Sequence, residues 1–430
     1  MKPMVKGTAR SFARPFPGPT VSFGELNKLV LVGLLLNALL AGCATLPRSA
    51  PPQELLGEAQ SAGLPPEARA FGLGVSEALQ ADFAKAMVDG KDEEPCDQKE
   101  GQPVVCVLIL SGGGGYGAYG AGVLNGWSRS GTRPDFKIVT GVSTGALMAP
   151  FAFLGSQYDE ALKKQFTTVE SDDDILKRRS LLRILRSDAV ATTGPLLNRI
   201  ENAITAEVLA KVAAEHVRGR RLYVGTTNMD AQTFVVWNMG AIAASEYSNK
   251  LGLFHKILLA SASIPVAMAP VFCEVQANGQ TYDEMHADGG VQAQFFVPLV
   301  SINLPEAIAD AQSRGFGFTP TPRMFVIRNS TFKPKPRAVS RNLADIGVRT
   351  IKSFTQSMGR SDLAQIYAIS QARGTDFHYT EVPEDFAWEA EGVFDGVAMR
   401  ELYSVGFERA QTADLWASEP PGTFARNIAP

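Results

Sequence analysis

Three clusters of residues carry the chemistry this chain could do. Gly141-Val142-Ser143-Thr144-Gly145 follows the apolar run Phe136–Thr140 and precedes Ala146-Leu147-Met148-Ala149. A serine in G-x-S-x-G between a strand and a helix sits on a sharp turn that lifts its hydroxyl clear of the sheet, as a nucleophile requires. Upstream, Ser111-Gly112-Gly113-Gly114-Gly115-Tyr116-Gly117 follows the buried-strand pattern Val104–Leu110. Glycines there let successive backbone N–H groups converge on an anion. Downstream, Asp288-Gly289-Gly290 puts a carboxylate on a tight turn.

The glycine loop has two readings. Gly112, Gly114 and Gly117 spell G-x-G-x-x-G, but a dinucleotide site also needs an acidic residue ending the next strand, and Asp135 precedes its strand. No Gly-Lys-Ser/Thr follows, so a P-loop is excluded. An oxyanion hole needs the same convergent donors. Ser143 then favours acyl transfer.

Histidine is scarce. The four are His216, His255, His286 and His378, and only His378 is late enough for the base of an ordinary α/β-hydrolase triad. Asp376-Phe377-His378-Tyr379 also reads as a strand carrying a surface histidine. Asp283, Glu284, His286 and Asp288 lie within six residues. With no partner cluster elsewhere, they are read as structural rather than as metal ligands.

Together, Gly112-Gly113-Gly114-x-x-Gly117, Gly141-x-Ser143-x-Gly145 and Asp288-Gly289-Gly290, in this order, resemble the patatin-like phospholipase family. Ala260-Ser261-Ala262-Ser263-Ile264-Pro265 is similar to a further block of that family. The resemblance runs from about Val104 to Phe296. It implies an α/β fold, three-layer α/β/α with a central, mostly parallel sheet. It also implies a catalytic pair without histidine, with Ser143 as nucleophile and Asp288 as base. The oxyanion would be held by amides around Gly113, Gly114 and Gly115. Hydrolysis of lipid acyl esters needs no cofactor or metal in this scheme. The family often has Arg or Lys where Tyr116 stands, so a fixed positive charge is missing here.

The elements that must position these residues are read from periodicity. Leu222–Thr227 and Thr233–Trp237 are expected to pair about the Asn228–Ala231 turn, and Arg323–Arg328 is another strand. Val75, Leu79, Phe83 and Met87 predict a first helix over about 71–88. Phe151–Thr167 is expected to continue the helix after Ser143, and Leu196–His216 to form one amphipathic helix serving core or lid. Residues from Val339 to about Arg373 read as mostly helical, with an irregular end. Lys177-Arg178-Arg179 with Arg183 and Arg186 reads as a solvated helix face or a contact to anionic lipid.

The first 43 residues read as a targeting segment. Five basic residues from Lys2 to Lys28 precede the apolar run Leu29–Gly42. As a helix that run spans about 21 Å, short of the roughly 30 Å of a bilayer core. Basic arm, short apolar core and small residues make a secretory signal peptide over 1–42. Leu40-Ala41-Gly42-Cys43 resembles a bacterial lipobox. This implies a lipoprotein with diacylglycerol and an amide-linked acyl chain on Cys43. Ala44 favours the outer membrane over the inner, so the expected place is the cell envelope, facing the periplasm. Prolines 47, 51, 52, 65 and 66 mark residues 43–70 as a tether, and residues 71–430 are expected to form one hydrolase domain with a C-terminal helical extension.

Composition closes off other classes. With 41 Lys and Arg against 44 Asp and Glu in 430 residues, the net charge of −3 argues against nucleic acid. Cys96, Cys106 and Cys273 remain after lipidation. An oxidising periplasm permits one bridge among three pairings. The expected partners are membrane lipids, as substrate and through the anchor, and no protein partner is assigned. The contrasting reading is a catalytically inert lipid-binding or scaffold lipoprotein on the same fold.

Overall fold

The apolar run Val104–Leu110 shows no alternation because it has parallel neighbours on both sides and helices on both faces. The computed structural model describes residues 46–422 apart from positions 62, 73, 92, 100, 101, 185, 186, 299, 300, 318, 320, 337, 390 and 391. The expected signal peptide and Cys43 lie outside the described residues. The strands of the main sheet are β1 (Arg69–Phe71), β2 (Asp97–Lys99), β3 (Gln102–Leu110), β4 (Ile138–Val142), β5 (Arg221–Asn228), β6 (Thr233–Asn238), β7 (Val271–Ala277), β8 (Gln280–Asp288), β9 (Thr321–Arg328) and β10 (Asp376–Glu381). The helices that matter here are α1 (Glu77–Asp89), α2 (Gly117–Arg129), α3 (Thr144–Leu154), α4 (Asp159–Thr167), α5 (Gly194–Ala203), α6 (Ala206–Val217), α7 (Met239–Ala244), α8 (Lys250–Ser261), α9 (Leu304–Ser313), α10 (Leu343–Ala372) and α11 (Gly396–Arg409).

Sheet order is β1-β6-β5-β4-β3-β9-β10, with β2 against β3 and β7–β8 joined through β5. The five strands β5, β4, β3, β9 and β10 run parallel, and the others add antiparallel. Alternate residues of β3 feed two cores. Cys106, Leu108 and Leu110 pack with α2, α3 and α11, whereas Val107 and Ile109 pack with α1, α9 and α10. This is the three-layer α/β/α arrangement, with a mixed, mostly parallel sheet in the middle. The expected β5–β6 pair forms about its turn, antiparallel in register Tyr223–Asn238 to Asn228–Thr233.

Four expectations of local structure are corrected. The first helix starts at Glu77, where the Ser76 hydroxyl accepts from the Leu79 N–H, so Val75 falls outside it and is exposed. The chain after Ser143 is not one helix to Thr167. Gly155, at φ 94°, ends α3 before α4 starts. Leu196–His216 divides into α5 and α6, because Thr205 caps α6 through the Val208 N–H. The end is not irregular throughout, since α11 packs along α2. In that crossing, a Cβ on Gly122, Gly126 or Gly406 would meet the carbonyl oxygen of Tyr403, Phe407 or Tyr119 respectively, at 2.1–2.3 Å.

The compact unit also reaches further toward the N-terminus than position 71. It begins at Arg48. Within the stretch read as a tether, Gln60 bridges to Gln276 and β1 pairs with β6. Lys177 and Arg178 lie on a two-residue strand paired with Ala191–Thr192, not on a helix. Cys96 and Cys106 form a disulfide. Cys273 is a buried free thiol whose pKa burial pushes up to about 12.

Candidate active site

Ser143 directly follows β4 and directly precedes α3, with φ 55° and ψ −125°. A non-glycine residue at positive φ is strained, and such strain collects at functional turns. The close crossing inside the turn is what demands its glycines. A Cβ on Gly145 would lie 2.4 Å from the Leu110 carbonyl oxygen, and one on Gly141 would lie 2.5 Å from that of Gly145.

The Ser143 hydroxyl donates to Asp288 Oδ2 at 2.6 Å. Asp288 ends β8, which pairs with β5 one strand away from β4. Its other oxygen, Oδ1, accepts from the Gly290 N–H at 2.7 Å. Both residues are nearly closed off, at 8% and 5% exposure. Burial pushes the Asp288 carboxyl up to about 6, against the opposing effect of the hydrogen bonds from Ser143 and Gly290.

Two serines from the block Ala260–Pro265 hold this pair. The Ser261 hydroxyl accepts from the Ser143 N–H at 2.9 Å and donates to the Gly225 carbonyl at 2.7 Å. The Ser263 carbonyl accepts from the Asp288 N–H at 2.9 Å. Thr227 Oγ1 donates to the Asp288 carbonyl. Gly289 lies against the Gly225 backbone.

The glycine loop leaves β3 and passes directly beside the serine. A Cβ on Gly112 would stand 3.1 Å from Ser143 Cβ. Gly113 is pressed against Asn329, where a Cβ would overlap the carbonyl oxygen at 2.0 Å. Gly114 and Gly115 open a single 3-10 turn, whose leading N–H groups have no acceptor within the turn. Gly115 faces Trp388 and Val393, and Gly117 faces Thr144 and Phe166. Tyr116 stacks on Trp388 with ring centroids 4.6 Å apart, so an aromatic contact occupies the position where a cation is absent.

Sequence reasoning passed over Asn329 and Gln294. Asn329 donates from its side chain to the Ser111 carbonyl and from its backbone to the Ser111 hydroxyl, while its Oδ1 accepts from the Gly120 N–H. Gln294 donates to the Gly290 carbonyl. The signal for Asn329 was its place just past β9, since ligand sites in parallel sheets gather at the carboxyl ends of strands.

An apolar pocket opens at this point. Gly114 and Ser143 line it together with Leu147, Phe151, Phe166, Ile200, Met268 and Phe394. Arg199 brings a cation to its wall, tied to the Gln165 carbonyl at 2.8 Å. The segment read as core or lid is therefore pocket wall, through Leu196, Ile200 and Ile204.

The histidines are engaged elsewhere. His378 stacks on Phe325, and the His255 ring lies 2.7 Å from the Ile204 carbonyl. His286 is buried between Thr226 and Glu284. Glu284 in turn pairs with Arg69. His216 is partly buried near Asp82 and Arg221, and desolvation depresses it to about 3.

Residues 108–309 match the family model described as patatin-like phospholipase. That stretch carries a patatin-like phospholipase domain. It spans the glycine loop, Ser143, the Ser261–Ser263 block and Asp288. No curated protein matches the chain. Among solved structures, VipD from Legionella pneumophila is similar at 11% identity and TM-score 0.33, covering 74% of this chain and 69% of that one. A likeness at that level carries no argument about function.

Proposed function

We propose that this chain is a lipid acyl hydrolase acting through Ser143 and Asp288. The observation that carries the reading is the 2.6 Å hydrogen bond between them at the head of an apolar pocket. Asp288 takes the proton as Ser143 Oγ attacks the ester carbonyl, and the N–H groups of Gly113, Gly114 and Gly115 face the oxyanion. The alcohol leaves with the proton from Asp288, giving an acyl-enzyme. Asp288 then deprotonates a water that releases the fatty acid and regenerates Ser143. A base raised to about 6 is mostly ionised at neutral pH, yet binds a proton better than an exposed carboxylate.

A fluorophosphonate probe tests the reading, because it labels only a reactive serine. Labelling lost in Ser143→Ala supports it. An unlabelled wild-type protein supports the inert lipid-binding or scaffold reading instead. Products from phospholipids with distinguishable sn-1 and sn-2 chains identify the ester cleaved. We also propose that the chain is an envelope lipoprotein anchored through Cys43, at the outer membrane and facing the periplasm. Palmitate incorporation that persists in Cys43→Ser would sink that part.

A further inference from the structure

A second carboxylate, Asp362 on α10, is tied to the first through the turn after β8. The Gln294 N–H donates to Asp362 Oδ2 at 2.7 Å, and the Phe295 N–H reaches the same oxygen at 3.4 Å. The Gln294 side chain donates to the Gly290 carbonyl at 3.0 Å, and the Gly290 N–H donates to Asp288 Oδ1 at 2.7 Å. Gly290 sits between the two, where a Cβ would stand 2.5 Å from Gln294 Nε2 and 2.9 Å from Asp288 Oδ1. With the bond from Ser143 to Asp288, an unbroken set of contacts runs from α10 to the nucleophile.

The segment that carries Gln294 needs such support. Residues 292–297 belong to no helix or strand, so their amides must find acceptors elsewhere. Asp362 accepts two of them. Gly359 lies one turn earlier on the same face of α10, and a Cβ there would stand 3.3 Å from Cβ and Cγ of Gln294. The helix therefore holds Gln294 by its backbone and by its stem, and both contacts set where its amide head lies. That head also borders the nucleophile. A Cβ on Gly112 would meet Gln294 Oε1 at 3.2 Å and Ser143 Cβ at 3.1 Å.

Burying a carboxylate is unfavourable unless its acceptor capacity is used. Asp362 is half-buried, and the charge that faces it is the Arg328 guanidinium at the end of β9. Burial pushes it up to about 6, against the opposing effect of the Gln294 and Phe295 amides and of Arg328. At neutral pH it is ionised, and amides bound to a charged acceptor are held more firmly than those bound to a neutral one.

We propose that Asp362 is a positioning residue for the hydrolysis, acting through Gln294 and Gly290 to hold Asp288 toward Ser143. The proposal rests on the hydrolase reading of Ser143 and Asp288. Without Asp362, Gln294 loses its backbone anchor and no longer fixes Gly290. The Gly290 amide lowers the Asp288 pKa, so slackening that bond raises it.

The test uses the full chain, with hydrolysis of a soluble short-chain ester, fluorophosphonate labelling and the melting temperature as the check on folding. Asp362→Ala should lower kcat by about tenfold with KM near the parent value, and slow labelling in step. The acid limb of kcat/KM should move up by about half a unit. Asp362→Asn keeps an oxygen for both amides, and should recover kcat to within about threefold of the parent without raising the limb. A charge acting through space predicts otherwise. Loss of a distant negative charge favours ionised Asp288, so the limb would fall in both variants, and that result overturns the proposal. Gln294→Leu keeps the backbone bond to Asp362 but removes the link to Gly290, and should match Asp362→Ala in kcat. It decides the matter if Asp362→Ala does not fold. Where both fold, the double variant should lose little more than either alone, as links in series require. Additive losses, or a parent-like kcat in either folded variant, overturn the proposal while the hydrolase reading stands. A parent that neither hydrolyses the ester nor takes the label overturns both.

Discussion

Glu284 and Asp288 lie four residues apart on β8, on the same face and both buried, yet they meet opposite fates. Burial alone would raise both. Glu284 also receives His286 and the Arg69 guanidinium, and together these hold it below the usual carboxylate range. Asp288 meets only neutral donors, the Ser143 hydroxyl and the Gly290 amide, and stays raised to about 6. The difference is the counter-ion. A buried carboxylate with a cation serves structure, whereas one without it retains appetite for a proton.

The largest effect should come from removing either half of the unpaired site. Ser143→Ala and Asp288→Asn are expected to lower kcat/KM for ester hydrolysis by about 10³–10⁴-fold with the fold intact. Full activity in Asp288→Asn would end the pairing argument and make His378 the next suspect. The paired site should answer in stability instead. Arg69→Met strands the buried Glu284 and is expected to cost about 3 kcal/mol or more, read from denaturant unfolding, with little change in chemistry per folded molecule.

Asp288 itself should carry a stability penalty. Its pKa is higher folded than unfolded, so its contribution is most favourable below about 4 and is lost as pH rises through about 6. Asp288→Asn should therefore be more stable than the parent above pH 6, by up to about 3 kcal/mol, and the gain should shrink in acid. A gain that grows in acid would reverse the sign of this argument. The smallest effect is a supplied counter-ion. In the parent, kcat/KM should rise with pH through a limb near 6, and Gln294→Lys should move that limb down by about one unit. An unmoved limb would mean that Asp288 does not set it.

The parts of the site that could be read from the chain were those built from local geometry. Gly141–Gly145 and Gly112–Gly117 are short because a sharp turn and a convergent loop each need small residues at fixed spacing. Ser261 reaches Ser143 across 118 residues of chain, and Asn329 reaches Ser111 across 218. A lone polar residue carries no spacing signal of that length. Helix ends failed for a related reason. Thr205 and Gly155 break apolar patterns that continue on either side, and periodicity sees the pattern better than the break. The helix α11 was missed because its contact with α2 depends on Gly122, Gly126 and Gly406, and close backbone approach leaves no apolar stripe to count.

By itself, then, the sequence determined the turn that carries Ser143, the glycine loop before it and the strands that present both, since each follows from steric rules acting over a few residues. Tertiary structure decided that Asp288 would be the carboxylate without a cation and Glu284 the one with Arg69. It also decided that α10 would leave Ile351 and Phe354 exposed. Charge pairing and burial depend on what distant segments bring to a point in space, and only the folded chain specifies that.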